Sequence, residues 1–416
     1  MDMICNEEKI TRALLVSVDT GGFDAEASLA ELEELVKSAG AEPAFTVTQK
    51  LQRPESATFV GSGKLEEIKQ ICEAQELDLI VVDSELSPTQ IKNIENYTDV
   101  RVIDRTTLIL DIFALRARSK EGKLQVELAQ LKYLLPRLTG KGVEMSRLGG
   151  GIGTRGPGET KIETDRRHIR RRMETLKDEL AEVEKHRNML RRRREKDGVI
   201  TCAIVGYTNA GKSTLMNTLT DAGVLAQDKL FATLDPTSRA LKLPSGVTVM
   251  LIDTVGLVRR LPHGLVEAFK STLEEAALSD VILNVCDASS PEAQVHMKVT
   301  EDLLSELGCG DTPVITVFNK CDRLSALDIA PDSERVVHIS AKNGQGIDRL
   351  LERIEANLPV SLRRVSLLLP FTAAGLQNEI RQKGTLLSEE YTAEGIRTEA
   401  VVDEALYRKV AEYTTE

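Results

Sequence analysis

The segment Gly206-Tyr-Thr-Asn-Ala-Gly-Lys-Ser213 constrains the fold of this chain more than any other stretch. It follows the apolar run VITCAIV and precedes STLMNTL, whose apolar residues recur at helical spacing. A strand, a glycine-rich turn and a helix in this order form a phosphate-binding loop (P-loop), because backbone N–H groups can face the phosphates and the helix N-terminus adds positive potential. We predict that Lys212 reaches the β- and γ-phosphates and that the Ser213 hydroxyl binds Mg²⁺.

Three further short motifs follow the P-loop, each at the end of an apolar run that is typical of a strand. The first, Asp253-Thr-Val-Gly256, can hold Mg²⁺ through a water and meet the γ-phosphate with a glycine N–H. The second, Asn319-Lys-Cys-Asp322, offers a carboxylate that accepts both the N1–H and the amino group of guanine, a donor pair that adenine lacks. The third, Ser340-Ala-Lys342, can close over the base. Open α/β sheets bind ligands at the carboxyl ends of their strands, so we expect one guanine-nucleotide site.

The segment Phe231-Ala-Thr-Leu-Asp235 lies between the P-loop and Asp253. Thr233 in this segment can complete the Mg²⁺ shell when a γ-phosphate is present. We therefore predict Lys212 and Thr233 as catalytic residues, and Ser213 and Thr233 as metal ligands. The predicted nucleotide-binding residues are Gly206, Tyr207, Thr208, Asn209, Ala210, Gly211, Lys212, Ser213, Phe231, Ala232, Thr233, Leu234, Asp235, Asp253, Thr254, Val255, Gly256, Asn319, Lys320, Cys321, Asp322, Ser340, Ala341 and Lys342.

Two residues of these motifs bear on the rate of GTP hydrolysis. Leu257 follows DTVG, where many GTPases carry a glutamine that orients the attacking water. An apolar side chain makes no hydrogen bond to water, so we expect slow hydrolysis unless a partner or an ion supplies the contact. Asn209 has two interpretations. In several G proteins that this chain resembles, an Asn here helps to bind a monovalent cation, which would add K⁺ to the cofactors GTP, GDP and Mg²⁺; alternatively, its side chain stabilises its own turn.

Apolar periodicity divides this α/β chain into four predicted domains. Residues 1–120 predict an amino-terminal α/β domain with a mostly parallel sheet. Residues 121–197 carry leucines at heptad spacing and predict an α-helical coiled-coil hairpin around a glycine-rich loop at 139–160. Residues 198–359 predict a P-loop G domain with a parallel sheet, and residues 360–416 a small α+β carboxyl-terminal domain.

Individual elements follow from the same patterns, and Pro136 is expected to kink or end the first helix of the hairpin. In the first domain we predict strands at 13–18, 78–83 and 100–104 and helices at 24–39, 64–76 and 87–97. In the G domain we predict strands at 199–205, 247–252, 281–287, 313–318 and 335–339.

The glycine-rich loop at 139–160 combines eight glycines with Lys141, Arg147 and Arg155. A packed protein interface usually needs apolar anchors, whereas a loop that enters an RNA cavity needs small residues for close approach and cations for phosphates. We therefore predict an RNA target, against the alternative of a connection without a function. The arginine runs at 170–172 and 191–194 fit either RNA contacts or solvated helix faces.

Composition limits the partners and the compartment. The start of the chain has no signal-peptide pattern, no run approaches the length of a membrane span, and six cysteines form no CxxC pair, so we expect a cytoplasmic protein with no membrane partner. We also expect the free protein to be a monomer. The net charge of −11 argues against wholesale nucleic-acid coating. Residues 161–196 nevertheless carry 14 Lys and Arg against 8 Asp and Glu, a local basic patch.

Several of these stretches together resemble the HflX family of translational GTPases over nearly the full length of the chain. They are VGSGKLEEI at 60–68, LGGGIGTRGPGETKIETDRRHIRRR at 148–172, FATLDPT and DTVGLVRRLPHGLVEAF. The resemblance implies a cytoplasmic GTPase that binds the 50S ribosomal subunit, with its rRNA and proteins, and that splits stalled or idle ribosomes, notably under stress.

A second interpretation stays open at this point. The chain could be an RNA-modification-type or ribosome-assembly GTPase with a second activity in the amino-terminal domain, where no catalytic constellation is recognisable. The GSGK sequence at 61–64 lacks the spacing and the following hydroxyl of a P-loop, so we interpret it as the turn that starts a helix rather than as an ATP site.

Overall fold

The computed structural model describes residues 10–138, 161–196, 198–220, 237–259, 275–310, 312–325, 331–359 and 362–415. The chain forms two compact units. The first contains Met1–Lys185 and also Arg259, and the second begins at His186. In the described parts of the chain, no helix is both long enough and apolar enough to cross a membrane.

A four-stranded parallel sheet forms the centre of the first unit, with the strand order β2-β1-β3-β4. Strands β1 and β3 are buried almost throughout, as expected for parallel strands covered on both faces. The predicted strands and helices of this domain are present, and β2 and α4 are additional. The strands are β1 (Arg12–Asp19), β2 (Glu42–Lys50), β3 (Leu79–Val82) and β4 (Arg101–Asp104). The helices are α1 (Ala25–Ser38), α2 (Ser62–Gln75), α3 (Pro88–Thr98) and α4 (Arg105–Arg116).

Helices α5 (Lys120–Leu134) and α6 (Lys161–Lys196) form the predicted helical region. The first helix ends next to Pro136 as expected, because a 3-10 turn at Leu135–Arg137 follows α5. Arg172 of α6 makes a two-pronged pair with Glu127 of α5, with N–O distances of 2.7 and 2.8 Å. Leu176 of α6 is fully buried. The glycine-rich loop that is predicted at 139–160 lies outside the described residues.

A six-stranded sheet with the order β10-β9-β8-β5-β7-β6 forms the centre of the second unit. All neighbouring strands are parallel except β6 and β7, which form an antiparallel pair. The five predicted strands are present and β6 is additional. The strands are β5 (Thr201–Gly206), β6 (Thr237–Lys242), β7 (Thr248–Asp253), β8 (Val281–Asp287), β9 (Val314–Asn319) and β10 (Val336–His338). The helices are α7 (Lys212–Thr220), α8 (Ala293–Glu306) and α9 (Ile347–Ala356).

A small antiparallel sheet with the order β11-β13-β12 completes the second unit. Its elements are β11 (Leu362–Leu369), α10 (Ala374–Lys383), β12 (Thr385–Thr392), β13 (Gly395–Asp403) and α11 (Glu404–Val410). Leu387 of β12 lies so close to the β6–β7 turn that a Cβ at Gly246 would be 2.4 Å from its Cδ2. The predicted fold class is confirmed, and the three boundaries between the four predicted domains stay predictions.

Arg105 holds a buried ion-pair triad together in the first unit. Its side chain is 3% exposed and lies 2.7 Å from Asp83 and 2.8 Å from Glu31. In Arg105→Ala the buried carboxylate of Asp83 and the largely buried carboxylate of Glu31 lose their cation, so we expect the free energy of unfolding to fall by about 3–5 kcal/mol. Urea unfolding should show this loss.

The matched control is Arg364→Ala, which removes an exposed pair with Glu399 at 3.0 Å. It should change the unfolding free energy by less than about 0.5 kcal/mol. Equal effects of the two substitutions would show that the triad does not stabilise the first unit.

Candidate nucleotide-binding site

The P-loop joins β5 to α7, as predicted, and two of its positions require glycine. Gly206 has a φ of +146°, and a Cβ there would lie 2.2 Å from the carbonyl oxygen of Val285. Gly211 has a φ of +92°, and a Cβ there would lie 2.2 Å from Nδ2 of Asn319. Any side chain would be strained at these φ values and would also collide with its neighbours. The two glycines therefore set the path of the loop.

Lys212, in the first turn of α7, is almost completely buried. Its Nζ donates hydrogen bonds to the carbonyl oxygens of Gly206, at 3.0 Å, and Tyr207, at 2.8 Å. Burial lowers the pKa of Lys212 to about 8, although the charge of Asp253 acts in the opposite direction. An ammonium group held in such a desolvated position interacts strongly with an incoming phosphate.

Ser213 and Asp253 bring two oxygen donors together at the end of β7. The Ser213 hydroxyl donates to Oδ2 of Asp253 at 3.2 Å. A hydroxyl and a carboxylate are hard oxygen ligands of the kind that Mg²⁺ prefers, so these two residues fit the predicted metal. The segment that should complete the shell lies outside the described residues. It comprises Phe231, Ala232, Thr233, Leu234 and Asp235.

Asn319 links the predicted base-binding motifs to the P-loop. Its Nδ2 donates to the carbonyl oxygen of Ala210, and its Oδ1 accepts from the N–H of Ala341, both at 2.9 Å. Nearby, one carboxylate oxygen of Asp322 accepts from the Ser340 hydroxyl at 2.6 Å. Asp322 itself is exposed, so its carboxylate is accessible to a guanine edge.

The remaining predicted residues lie in the same part of the second unit. Thr254 donates through Oγ1 to the carbonyl oxygen of Ile204 at 2.7 Å and is fully buried. A Cβ at Gly256 would lie 2.7 Å from Cγ2 of Thr208 and 3.0 Å from Nζ of Lys212, so the DTVG segment lies against the P-loop. Thr208 and Val255 are buried, the thiol of Cys321 is buried, and Asn209 and Lys342 are exposed.

Asp287, at the end of β8, is a site residue that the motifs did not predict. Its Oδ2 lies 2.8 Å from Nζ of Lys320, which itself has a φ of +65°. Burial alone would raise the pKa of Asp287, but hydrogen bonds from Lys320 and Ser289 outweigh burial and leave the pKa below its ordinary value. The register of β8 and β9 pairs Asp287 with Asn319. An acidic residue that ends the strand next to NKCD is the signal that could have identified it.

The parallel sheet, the P-loop and the NKCD and SAK motifs at the carboxyl ends of its strands define a guanine-nucleotide-binding protein with a P-loop G domain. Comparison with known protein families supports this assignment along most of the chain. A family described as GTP-binding GTPase N-terminal matches residues 26–114, and one described as GTP-binding GTPase Middle Region matches residues 116–194. A third, described as 50S ribosome-binding GTPase, matches residues 201–320.

Curated relatives match over nearly the full length. GTPase HflX of Caldanaerobacter subterraneus subsp. tengcongensis is 54% identical over 392 residues, covering 94% of this chain and 91% of the relative. GTPase HflX of Escherichia coli is 43% identical over 376 residues, covering 89% and 86%. A solved GTP-binding protein of Sulfolobus solfataricus in complex with GDP is 25% identical, with a TM-score of 0.46 over 84% of this chain and 98% of that one. The chain belongs to the HflX GTPase family; it binds guanine nucleotides and hydrolyses GTP.

The contact expected between Asp322 and guanine generates a prediction about base specificity. Asp322→Asn replaces a double acceptor by one donor and one acceptor, which mismatches guanine and matches xanthine. We expect the affinity for GTP to fall about 10–100-fold and the affinity for xanthosine triphosphate to rise. Titration with fluorescent nucleotides measures both. Asp302→Asn on α8, an exposed site with the same charge change, is the control and should bind GTP like the parent. An unchanged GTP affinity in Asp322→Asn would refute the assignment.

Proposed function

We propose that this GTPase binds the 50S ribosomal subunit in its GTP form and separates ribosomal subunits, with residues 139–160 probing rRNA. The observation that carries the proposal is the match of residues 201–320 to a family described as 50S ribosome-binding GTPase. Such a protein works in the cytoplasm, where the subunits are, and it is needed when stress leaves ribosomes stalled or idle. Hydrolysis is slow in the free protein and faster on the ribosome.

The charges on α6 support an RNA target near residues 139–160. Arg167, Arg170 and Arg171 are exposed within the first turns of this helix. Arg172 is engaged by Glu127, and hydrogen bonds from Arg172 lower the pKa of that carboxyl group. The run at 170–172 therefore combines two roles: Arg172 holds α5 and α6 together, and its two neighbours are accessible to phosphates.

The second arginine run, at 191–194, also combines a structural residue with exposed ones. Arg194 lies 3.7 Å from Glu275, as does Arg187, and both guanidinium groups are partly buried within the second unit. Arg192 and Arg193 are exposed. We assign Arg194 to the attachment of α6 within this unit and leave the exposed pair as candidates for RNA contact.

Replacement of residues 139–160 by a Gly/Ser linker of equal length tests the loop. We expect GTP affinity and basal hydrolysis to stay at parental values, because the described nucleotide site belongs to the second unit, while separation of 70S ribosomes is lost. Light scattering and sucrose gradients measure the separation. Subunit separation at the parental rate would show that the loop is only a connection.

A milder variant removes only Lys141, Arg147 and Arg155. It should weaken subunit binding and flatten its salt dependence, because each lost phosphate contact removes about 0.7–0.9 from the slope of log K against log salt concentration. The matched control removes three exposed basic residues of the carboxyl-terminal sheet region, Arg364, Arg397 and Arg408, and should leave the slope unchanged.

The cofactor set of the proposed function includes Mg²⁺, held by Ser213 and Thr233, and K⁺ beside Asn209. Asn209 has a φ of +60°, a conformation that Asn tolerates better than most residues. This observation also fits the alternative interpretation, in which Asn209 stabilises its own turn. We expect faster GTP hydrolysis in potassium than in sodium at equal ionic strength. Asn209→Gly keeps the left-handed turn and should abolish that difference. Equal hydrolysis rates in potassium and sodium would contradict cation binding by Asn209 and would leave stabilisation of the turn as its role.

A further inference from the structure

Leu257 is joined to the P-loop by two backbone hydrogen bonds. Its N–H donates to the carbonyl oxygen of Gly206 at 3.1 Å, and its carbonyl oxygen accepts from the N–H of Thr208 at 2.7 Å. This is one rung of a parallel β-ladder centred on Tyr207 and Leu257. The chain that follows DTVG therefore fixes the peptide groups on both sides of Tyr207.

The side chains of Tyr207 and Leu257 reinforce this link. Both are 5% exposed, and they share an apolar cluster with Val299, Leu303 and Leu307. The Tyr207 ring also stacks on the His296 ring of α8, with a centroid distance of 3.8 Å and an interplanar angle of 13°. His296, Val299 and Leu303 recur at the spacing of one helix face. Tyr207 is thus contacted both by α8 and by Leu257.

The position of Lys212 depends on the same peptide groups. The two carbonyl oxygens that accept from its Nζ belong to Gly206 and Tyr207, and the Gly206 oxygen also accepts from Leu257. We infer that Leu257 and His296 are positioning residues: they clamp Tyr207 and thereby hold the Lys212 ammonium group in the orientation that phosphate binding uses. On this account Leu257 does more than leave out a water-orienting side chain, because its apolar character is itself required.

A glutamine at position 257 distinguishes this inference from the simpler hypothesis that Leu257 only leaves out a water-orienting side chain. Leu257→Gln places an amide among apolar side chains, where it loses its hydrogen bonds to water, so the clamp should loosen. We expect KM for GTP and the dissociation constant for GDP to rise about tenfold, with no increase in kcat. The volume-conserving Leu257→Met should restore most of the affinity. If Leu257 is merely a missing glutamine, Leu257→Gln should instead raise kcat at an unchanged KM, and that result would overturn the inference.

Two variants of His296 test the other half of the clamp. His296→Phe keeps an aromatic ring for stacking, whereas His296→Ala removes it. We expect the Ala variant to weaken GDP binding several-fold more than the Phe variant. In the double variant of Leu257→Gln and His296→Ala, the loss should be smaller than the product of the single losses, because both act on Tyr207. Equal affinities for Ala and Phe, or independent losses, would contradict the clamp.

These measurements use the full chain with nucleotide alone, so their outcome is independent of the ribosome proposal. A thermal melt of each variant separates lost folding from lost positioning. A variant that melts like the parent yet binds GDP more weakly supports the clamp, and one whose weaker binding only follows a lower melting temperature contradicts it.

Discussion

The buried side chain of Asn319 is the contact on which the nucleotide site depends. Its amide nitrogen holds the P-loop at Ala210 and its amide oxygen holds the segment after β10 at Ala341. Burial of an amide is unfavourable unless its polar atoms are hydrogen-bonded, and here both are. Gly211 makes the contact possible, because a Cβ there would lie only 2.2 Å from the Asn319 side-chain nitrogen and would collide with it. One side chain therefore fixes the distance between the phosphate-binding and base-binding halves of the site.

This arrangement explains how the second unit can select guanine and hold phosphates at once. Asp322, three residues after Asn319, is exposed and already hydrogen-bonded to Ser340, so its carboxylate is oriented before a base arrives. Lys212 is desolvated, and an incoming phosphate relieves that cost by supplying the opposite charge. Binding then depends on groups that are in place beforehand, which reduces the free energy lost in ordering them. A switch needs more than binding: GTP must favour a conformation that GDP does not, and the segment around Thr233 is where we expect that difference.

Sequence patterns predicted the strands and helices whose burial produces a regular apolar pattern, and they missed elements whose burial does not. Strand β1 is buried on both faces, and its buried residues are therefore apolar apart from Ser17. Strand β2 escaped prediction because it is an edge strand with Val47 as its only buried residue. Strand β6 pairs at the other sheet's edge and has a mostly polar sequence, TSRALK. Helix α4 is apolar on several faces and follows β4 directly, so it shows no helical periodicity.

The residues of the candidate site likewise divide into those that the sequence predicted and those that it did not. Residues within motifs, such as Lys212 and Asp322, were predictable because the chemistry needs them at a fixed spacing along the chain. The roles of Asp287 and His296 did not follow from the motifs, because their contacts with Lys320 and Tyr207 join strands and helices that are distant in sequence. Only the acidic end of β8 was a sequence signal for Asp287. Such contacts depend on strand order and helix packing, which no local pattern contains.

Co-sedimentation with purified 50S subunits tests the central claim most directly. The protein is incubated with subunits and either a non-hydrolysable GTP analogue or GDP, and the pellet is then analysed for bound protein. We expect the protein to pellet with the subunits in the presence of the analogue and to stay in the supernatant with GDP. Equal amounts in both pellets, or none in either, would contradict a nucleotide switch that acts on the large ribosomal subunit.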